Sequence, residues 1–194
     1  MAVTRFIMKQ KTHFFSFIIT LLSISISDSR CNNKEHITWK DEKQLKWDYF
    51  QNDRPHGEDT SATSSIRISL QYEAGDRLKW FVAECLFLKK GSFVGSRKTD
   101  YILKHEQGHF DIGEIYTRLL RKEILIIGKG DNMNISKRID SLTNKIKKLL
   151  LQEQLLYDSE TKNSLDTIKQ KYWDERIRKG LDSLSTFSEH KYWF

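Results

Sequence analysis

The stretch HEQGHFDIGE, residues 105–114, contains the pattern His-Glu-x-x-His at His105, Glu106 and His109. Two histidines four residues apart lie on one face of a helix, about 40° apart around its axis. Both imidazoles can then bind one zinc ion and leave a coordination position open for water. Glu106 can take a proton from that water and pass it to a leaving group. The pattern therefore predicts a catalytic zinc site on a helix.

The residues around this motif favour a helix. Thr99 or Asp100 can cap its N-terminus, and no proline interrupts the segment. We predict a helix from about Thr99 to Ile127 that ends at Gly128. The alternative is a solvated helix with two ordinary surface histidines, but several apolar residues continue the helix at spacings of three and four: Ile112, Ile115, Leu119, Leu120 and Ile124.

The motif also lies within a longer resemblance. LKHEQGHFDIGEIYTRLLRKEI, residues 103–124, resembles the signature of a bacterial family catalogued as domain of unknown function 922, described as secreted zinc-dependent proteases. The resemblance runs from about Trp39 to Leu184 and implies a zincin-like fold that binds Zn²⁺ and hydrolyses peptide bonds. In such proteases a sheet edge beside the metal helix commonly holds the substrate as an added strand. The other matching segments are LKWDYFQ at 45–51, SATSSI at 61–66, GSFV at 91–94 and YDSETKNSLDTIKQKYW at 157–173.

The order of predicted elements indicates an α+β fold. Residues 37–50 read as one or two short strands, and residues 66–72 alternate between apolar and polar side chains, as a half-buried strand does. Residues 78–88 are apolar on both faces, which predicts a central strand. After the metal helix, apolar residues recur at helical spacing over residues 135–156 and 165–184. We therefore expect a small antiparallel sheet followed by the metal helix and two further packed helices.

A catalytic zinc ion normally has three protein ligands, and the motif supplies two. Ile115 stands where a longer version of the motif has a third histidine. A second helix antiparallel to the first returns to the level of the motif at about residues 153–160. Our first choice as third ligand, or as a partner of a metal-bound histidine, is Glu160, followed by Asp158. The alternative is that both acids only end one helix and cap the next.

One position departs from the family pattern. The segment that begins at Tyr157 has histidine at its seventh position in the family, whereas this chain has Asn163. If that histidine binds the metal or polarises the substrate, this chain has lost the group. Asparagine is a poor zinc ligand, although its amide can hydrogen-bond an oxyanion. The alternative function is therefore a catalytically impaired, zincin-like binding module of the cell envelope.

Residues 1–27 have the pattern of an export signal, with a basic start and a 13-residue apolar stretch, Phe14–Ile26, that is too short to span a bilayer comfortably. We expect cleavage before Asp28 and export to the periplasm or the extracellular space; an uncleaved anchor is the alternative. No later segment is apolar for long enough to span a membrane. We divide the remainder into a flexible segment at 28–36, a metalloprotease domain at 37–186 and a tail at 187–194.

The charge balance argues against a nucleic-acid partner. The formal charge of +7 falls to +4 without residues 1–27, and the remaining basic residues are scattered among acids. A peptide or protein substrate is expected, and the oligomeric state is left open. A metal-dependent amidase and a helical interaction protein that pairs through residues 135–186 also remain open. Cys31 and Cys85 are the only cysteines, and a disulfide between them, which export permits, stays undecided.

Overall fold

The computed structural model describes residues 35–52, 62–130 and 133–194. Two antiparallel sheets and three helices form the described fold, which confirms the predicted α+β class. The larger sheet contains β1 (His36–Thr38), β3 (Ile66–Ala74), β4 (Leu78–Leu88) and β6 (Lys191–Trp193). The smaller sheet pairs β2 (Ala62–Thr63) with β5 (Phe93–Val94). The helices are α1 (Asp100–Lys129), α2 (Ile135–Thr161) and α3 (Thr167–Ser183).

Strand β4 is central, as its apolar sequence predicts. It pairs with β3 along one side and with β1 and β6 along the other. In the β3–β4 register Ile68 lies opposite Cys85, and both residues are buried. Among the described residues β3 has no second neighbour in its sheet, so it forms the edge. This edge begins at Ile66, four residues after the start of the small sheet that leads into it.

The aromatic stretch near residue 47 is not a strand, contrary to the prediction. Residues Trp47–Tyr49 form a short 3-10 helix, closed by the Phe50 N–H donating to the Trp47 carbonyl at 3.1 Å. The buried residues are Leu45 and Phe50, five positions apart. That spacing does not fit the two-residue period of a strand, so a strand in the second half of residues 37–50 was wrongly predicted.

Helix α1 begins as predicted and ends later than predicted. The Thr99 hydroxyl accepts from the Ile102 N–H at 3.2 Å and caps the first turn. The helix continues through Gly128 to Lys129, so the assignment of Gly128 as its end was wrong. A Cβ at position 128 would overlap the ring of Phe194. Glycine at this position therefore allows the C-terminal Phe194 to pack closely against α1, and it does not mark a turn of the backbone.

Residues 187–194 are part of the fold rather than a tail, which corrects the predicted boundary at residue 186. Strand β6 pairs with β4, with Tyr192 opposite Phe81. These two rings stack with their centroids 5.0 Å apart. A strand of only three residues is too short to give a periodic signal in the sequence. The C-terminus thus completes one side of the sheet.

Helix α1 packs against the sheet on one side and against α2 and α3 on the other. A continuous core joins these layers, and its buried members include Ile68, Phe81, Ile112, Leu120, Ile124, Ile139, Ile146, Trp173 and Ile177. Helices α1 and α2 run antiparallel, since His105 contacts Asp158 and His109 contacts Gln154. This orientation confirms the predicted antiparallel arrangement of the two helices.

A buried ion-pair cluster connects α1 to the sheet and the C-terminal segment. Glu114 Oε1 accepts from Arg118 Nε at 2.9 Å and from Arg121 Nη1 at 2.8 Å. Arg121 also donates to the carbonyl of Ala83 in β4 at 2.9 Å and to that of Phe187 at 3.0 Å. All three charged side chains are buried. The carboxylate and the guanidinium groups thus satisfy one another within the protein interior.

The predicted export signal and Cys31 lie outside the described residues, as do residues 28–34 of the predicted flexible segment. Glu35 and His36, the last two residues of that segment, are described, and β1 begins at His36. Cys85 is a buried free thiol. Within the part of the chain that the structure describes, no helix combines the length and apolarity needed to cross a membrane.

Candidate metal centre

Helices α1 and α2 bring three potential metal ligands together. Nε2 of His105 lies 3.2 Å from Oδ1 of Asp158, and Nε2 of His109 lies 2.9 Å from the same oxygen. The two imidazole rings are perpendicular, with centroids 5.0 Å apart. One ligand atom from each residue falls within 4.8 Å of the others. The two predicted histidines and a carboxylate therefore direct their ligand atoms toward one common position.

The chemistry of this donor set suits a zinc ion. Two imidazole nitrogens and one carboxylate oxygen are the ligands of a typical catalytic site, with a further position left for water. His105 is 3% exposed, whereas the side chain of Asp158 is 36% exposed. The cluster is thus anchored in the interior and open to solvent on the Asp158 side.

The electrostatics of the cluster also favour a cation. Burial alone would raise the pKa of Asp158, but hydrogen bonds to His105 and His109 hold it well below its usual range. Burial would lower the pKa of His109, but the hydrogen bond and charge of Asp158 outweigh this effect and raise it. The carboxylate is therefore ionised between two imidazoles, where positive charge is stabilised.

Glu106 lies beside this cluster and is 3% exposed. The hydroxyl of Ser64 donates to Glu106 Oε2 at 2.6 Å. Ser64 follows β2 directly and precedes the edge strand β3. The hydrogen bond from Ser64 therefore holds the Glu106 carboxylate from the side of the sheet, whereas the backbone of Glu106 belongs to α1. Ser64 lies in the SATSSI segment, which suggested a family resemblance but gave no specific role to this residue.

The structure places Glu160 away from the histidines. Its Oε2 accepts from Nε1 of Trp173 at 2.9 Å. Asp158 and Glu160 are two residues apart, so they point to different sides of α2, about 200° apart. Asp158 faces α1 and Glu160 faces α3, which reverses our order of preference for the third ligand. The position of the second helix was predicted correctly, but its rotation could not be resolved to one residue.

Two glutamines that the sequence analysis missed flank the histidines. Gln170 of α3 lies with its Oε1 3.0 Å from Nδ1 of His105. Gln154 of α2 contacts Nδ1 of His109 and donates from Nε2 to the backbone carbonyl of the same residue at 2.9 Å. Gln154 precedes Asp158 by one helical turn, so helical spacing could have identified it. Gln170 lies in the family-like segment at 157–173, but that resemblance gave it no specific role.

Tyr157 forms the inner wall of the cluster. Its ring stacks on the ring of His105 with centroids 4.6 Å apart. Its hydroxyl donates to the backbone carbonyl of His105 at 3.1 Å and accepts from Gln170 Nε2 at 2.7 Å. Burial raises the pKa of the Tyr157 hydroxyl far above its usual range. The hydroxyl therefore stays protonated and acts as a structural hydrogen-bonding group.

Asn163, at the position where the family that the sequence resembles has histidine, lies in the turn between α2 and α3. Its side chain is exposed, and its backbone N–H donates to the carbonyl of Asp158 at 2.9 Å. The φ angles of Lys162, Asn163 and Ser164 are 52°, 50° and 73°, all in the left-handed region. Asparagine tolerates this region better than most residues. The residue thus has a local role in the turn that follows the candidate ligand.

Comparison with known protein families, curated proteins and solved structures finds no match. The family resemblance therefore stays a prediction. The function of the chain is therefore inferred from the chemistry of the cluster.

Proposed function

We propose that this chain is a zinc-dependent peptidase. One observation carries the proposal: His105 and His109 of α1 and Asp158 of α2 converge on one point, and the buried Glu106 follows His105 directly on α1. His105, His109 and Asp158 would hold the zinc ion. When bound, zinc supplies Lewis-acid activation of water and of a substrate carbonyl.

The residues of the chain have distinct roles in this proposal. Glu106 takes a proton from the attacking water and later donates it to the leaving amine. Ser64 orients Glu106 through its 2.6 Å hydrogen bond to Oε2. Burial of Glu106 shields this proton transfer from bulk solvent.

The edge strand suggests how a peptide would bind. Strand β3 has an open edge among the described residues, and Ser64 lies two residues before it. An extended peptide could add to this edge through backbone hydrogen bonds and pass close to Glu106. We further propose that the chain acts outside the cytoplasm, on the basis of the signal-like residues 1–27.

A hydrolysis assay tests this function. The zinc-loaded chain is incubated with a library of fluorogenic peptides, with and without a chelator. We expect zinc-dependent cleavage, and we expect Glu106→Gln to lower kcat/KM by about 10²- to 10⁴-fold while it retains zinc. Glu123→Gln, a change on the same helix distant from the cluster, serves as the control and should retain activity.

A chain that binds zinc but cleaves no peptide would contradict the proposed hydrolysis. That result would favour the second candidate, a zincin-like envelope binding module. The observation behind this candidate is Asn163 at the position where the family pattern has histidine. The binding module would share the fold, with or without a bound metal, and would lack turnover.

A further inference from the structure

We propose that Gln154 and Gln170 are positioning residues that hold His109 and His105 with Nε2 of each ring turned toward Asp158. The inference rests on the proposed function, because Nε2 is the nitrogen through which each histidine would bind zinc. Each amide lies on the opposite nitrogen, Nδ1, of its histidine. The orientation of the two amides then decides which nitrogen carries a proton.

The amide of Gln170 has one orientation available. Its Nε2 donates to Oδ1 of Asp174 at 2.9 Å and to the hydroxyl oxygen of Tyr157 at 2.7 Å. The Asp174 carboxylate only accepts hydrogen bonds and is held by Lys104 at 2.5 Å. Oε1 must therefore face His105, and because an amide oxygen only accepts, Nδ1 of His105 must carry the proton.

Gln154 contacts His109 at two points. Its Nε2 donates to the backbone carbonyl of His109 at 2.9 Å. A carbonyl oxygen only accepts, so this bond fixes the amide and leaves Oε1 on Nδ1 of the ring. Nδ1 of His109 must therefore be protonated as well. This contact comes from α2, whereas Gln170 reaches the cluster from α3.

With a proton on each Nδ1, both rings turn Nε2 toward Oδ1 of Asp158. A cation that replaces the protons of these Nε2–Asp158 hydrogen bonds would meet three donor atoms at one point. Carboxylates often orient metal-bound histidines in this way. Neutral amides orient the rings without adding negative charge to the cluster. The two glutamines are thus suited to hold the site in its metal-binding form.

Replacement by methionine tests this inference, because methionine has a similar length and no amide. Zinc dissociation constants of Gln154→Met and Gln170→Met are measured by competition with a chromophoric chelator. We expect each to bind zinc about 10- to 100-fold more weakly than wild type. Gln152→Met, at an exposed position of the same helix α2, should bind zinc as the wild type does.

A second readout reports the proton directly. Two-bond ¹⁵N–¹H correlation spectra of the zinc-loaded protein should show His105 and His109 protonated at Nδ1. Gln154→Glu retains an acceptor for His109, so its zinc affinity should stay within about threefold of wild type. Recovery with glutamate but not with methionine separates an acceptor role from simple packing.

Equal zinc affinity in the wild type and both methionine variants would overturn the inference alone. Protonation at Nε2 in the zinc-loaded wild type would also overturn it. If the wild type binds no zinc, the proposed function fails and this inference fails with it. Gln170 is buried and its methionine variant could unfold, which circular dichroism would reveal; the partly exposed Gln154 variants then decide the result.

Discussion

The hydroxyl of Tyr157 occupies the space that a Cβ atom on Gly108 would fill. Gly108 lies between the two motif histidines, and Tyr157 stacks on one of them, His105. The close approach of α2 to α1 at the candidate site therefore depends on a residue without a side chain. The glycine in HEQGH thus has a packing reason that the metal pattern alone does not give.

We expect Gly108→Ala to destabilise the fold by about 1–3 kcal/mol, because the added methyl group has to displace a buried ring. Zinc affinity should fall as well, since Tyr157 precedes Asp158 directly. Denaturant unfolding and a zinc titration measure the two effects. Gly75→Ala is the control, because a Cβ at position 75 meets nothing within 4 Å. Equal stability of the two variants would show that α2 can move away without cost.

Arg121→Ala should be strongly destabilising. It leaves the buried carbonyl of Ala83 without this donor and removes one of the two cations on Glu114. Loss of one partner from a buried ion pair costs about 3–5 kcal/mol. Arg178 pairs with Glu175 at the surface, where solvent screens the charges, so Arg178→Ala should change the free energy of unfolding very little. Urea unfolding of both variants measures the difference, and similar losses would contradict the assigned role of the buried cluster.

Cys85 should resist thiol reagents in the native state. Burial, followed by the charge of Glu114, raises the pKa of its thiol well above its usual range. In a Cys31→Ser chain, a chromogenic disulfide reagent at pH 8 should react with Cys85 only after a denaturant is added. Fast labelling of the native chain would contradict the burial of this thiol.

The raised pKa of Cys85 also predicts a pH dependence of stability. The unfolded thiol ionises at about pH 8.5, whereas the native thiol stays protonated at higher pH. The native state then binds more protons, so the free energy of unfolding should fall by up to about 1.4 kcal/mol per pH unit above this value. Cys85→Ala should lose this contribution, and pH-dependent urea unfolding of both chains tests it.

The sequence predicted those elements whose side chains follow a regular period. Strands β3 and β4 and the three helices were placed nearly at their observed bounds, because their apolar residues recur at spacings of two or of three and four. The 3-10 helix at Trp47–Tyr49 and the strand β6 were missed, because three residues give no period. Gly128 was misread as a helix end, because its close contact, Phe194, is distant in sequence.

The candidate site was predicted in part for the same reason. His105, Glu106 and His109 lie on one helix, so their relative positions follow from helical geometry. Asp158 required the rotation of a second helix, and a shift of two residues was enough to favour Glu160. Gln170 depends on the turn between α2 and α3 and could not have been found from spacing at all.

The experiment that identifies the third ligand tests the metal centre most directly. Zinc content is measured by elemental analysis of the purified chain after zinc reconstitution, for the wild type, Asp158→Ala and Glu160→Ala. We predict one zinc ion per chain in the wild type and in Glu160→Ala, and loss of zinc from Asp158→Ala, because Asp158 contacts both histidines. Absence of zinc from the wild type, or full retention by Asp158→Ala, would contradict the proposed site.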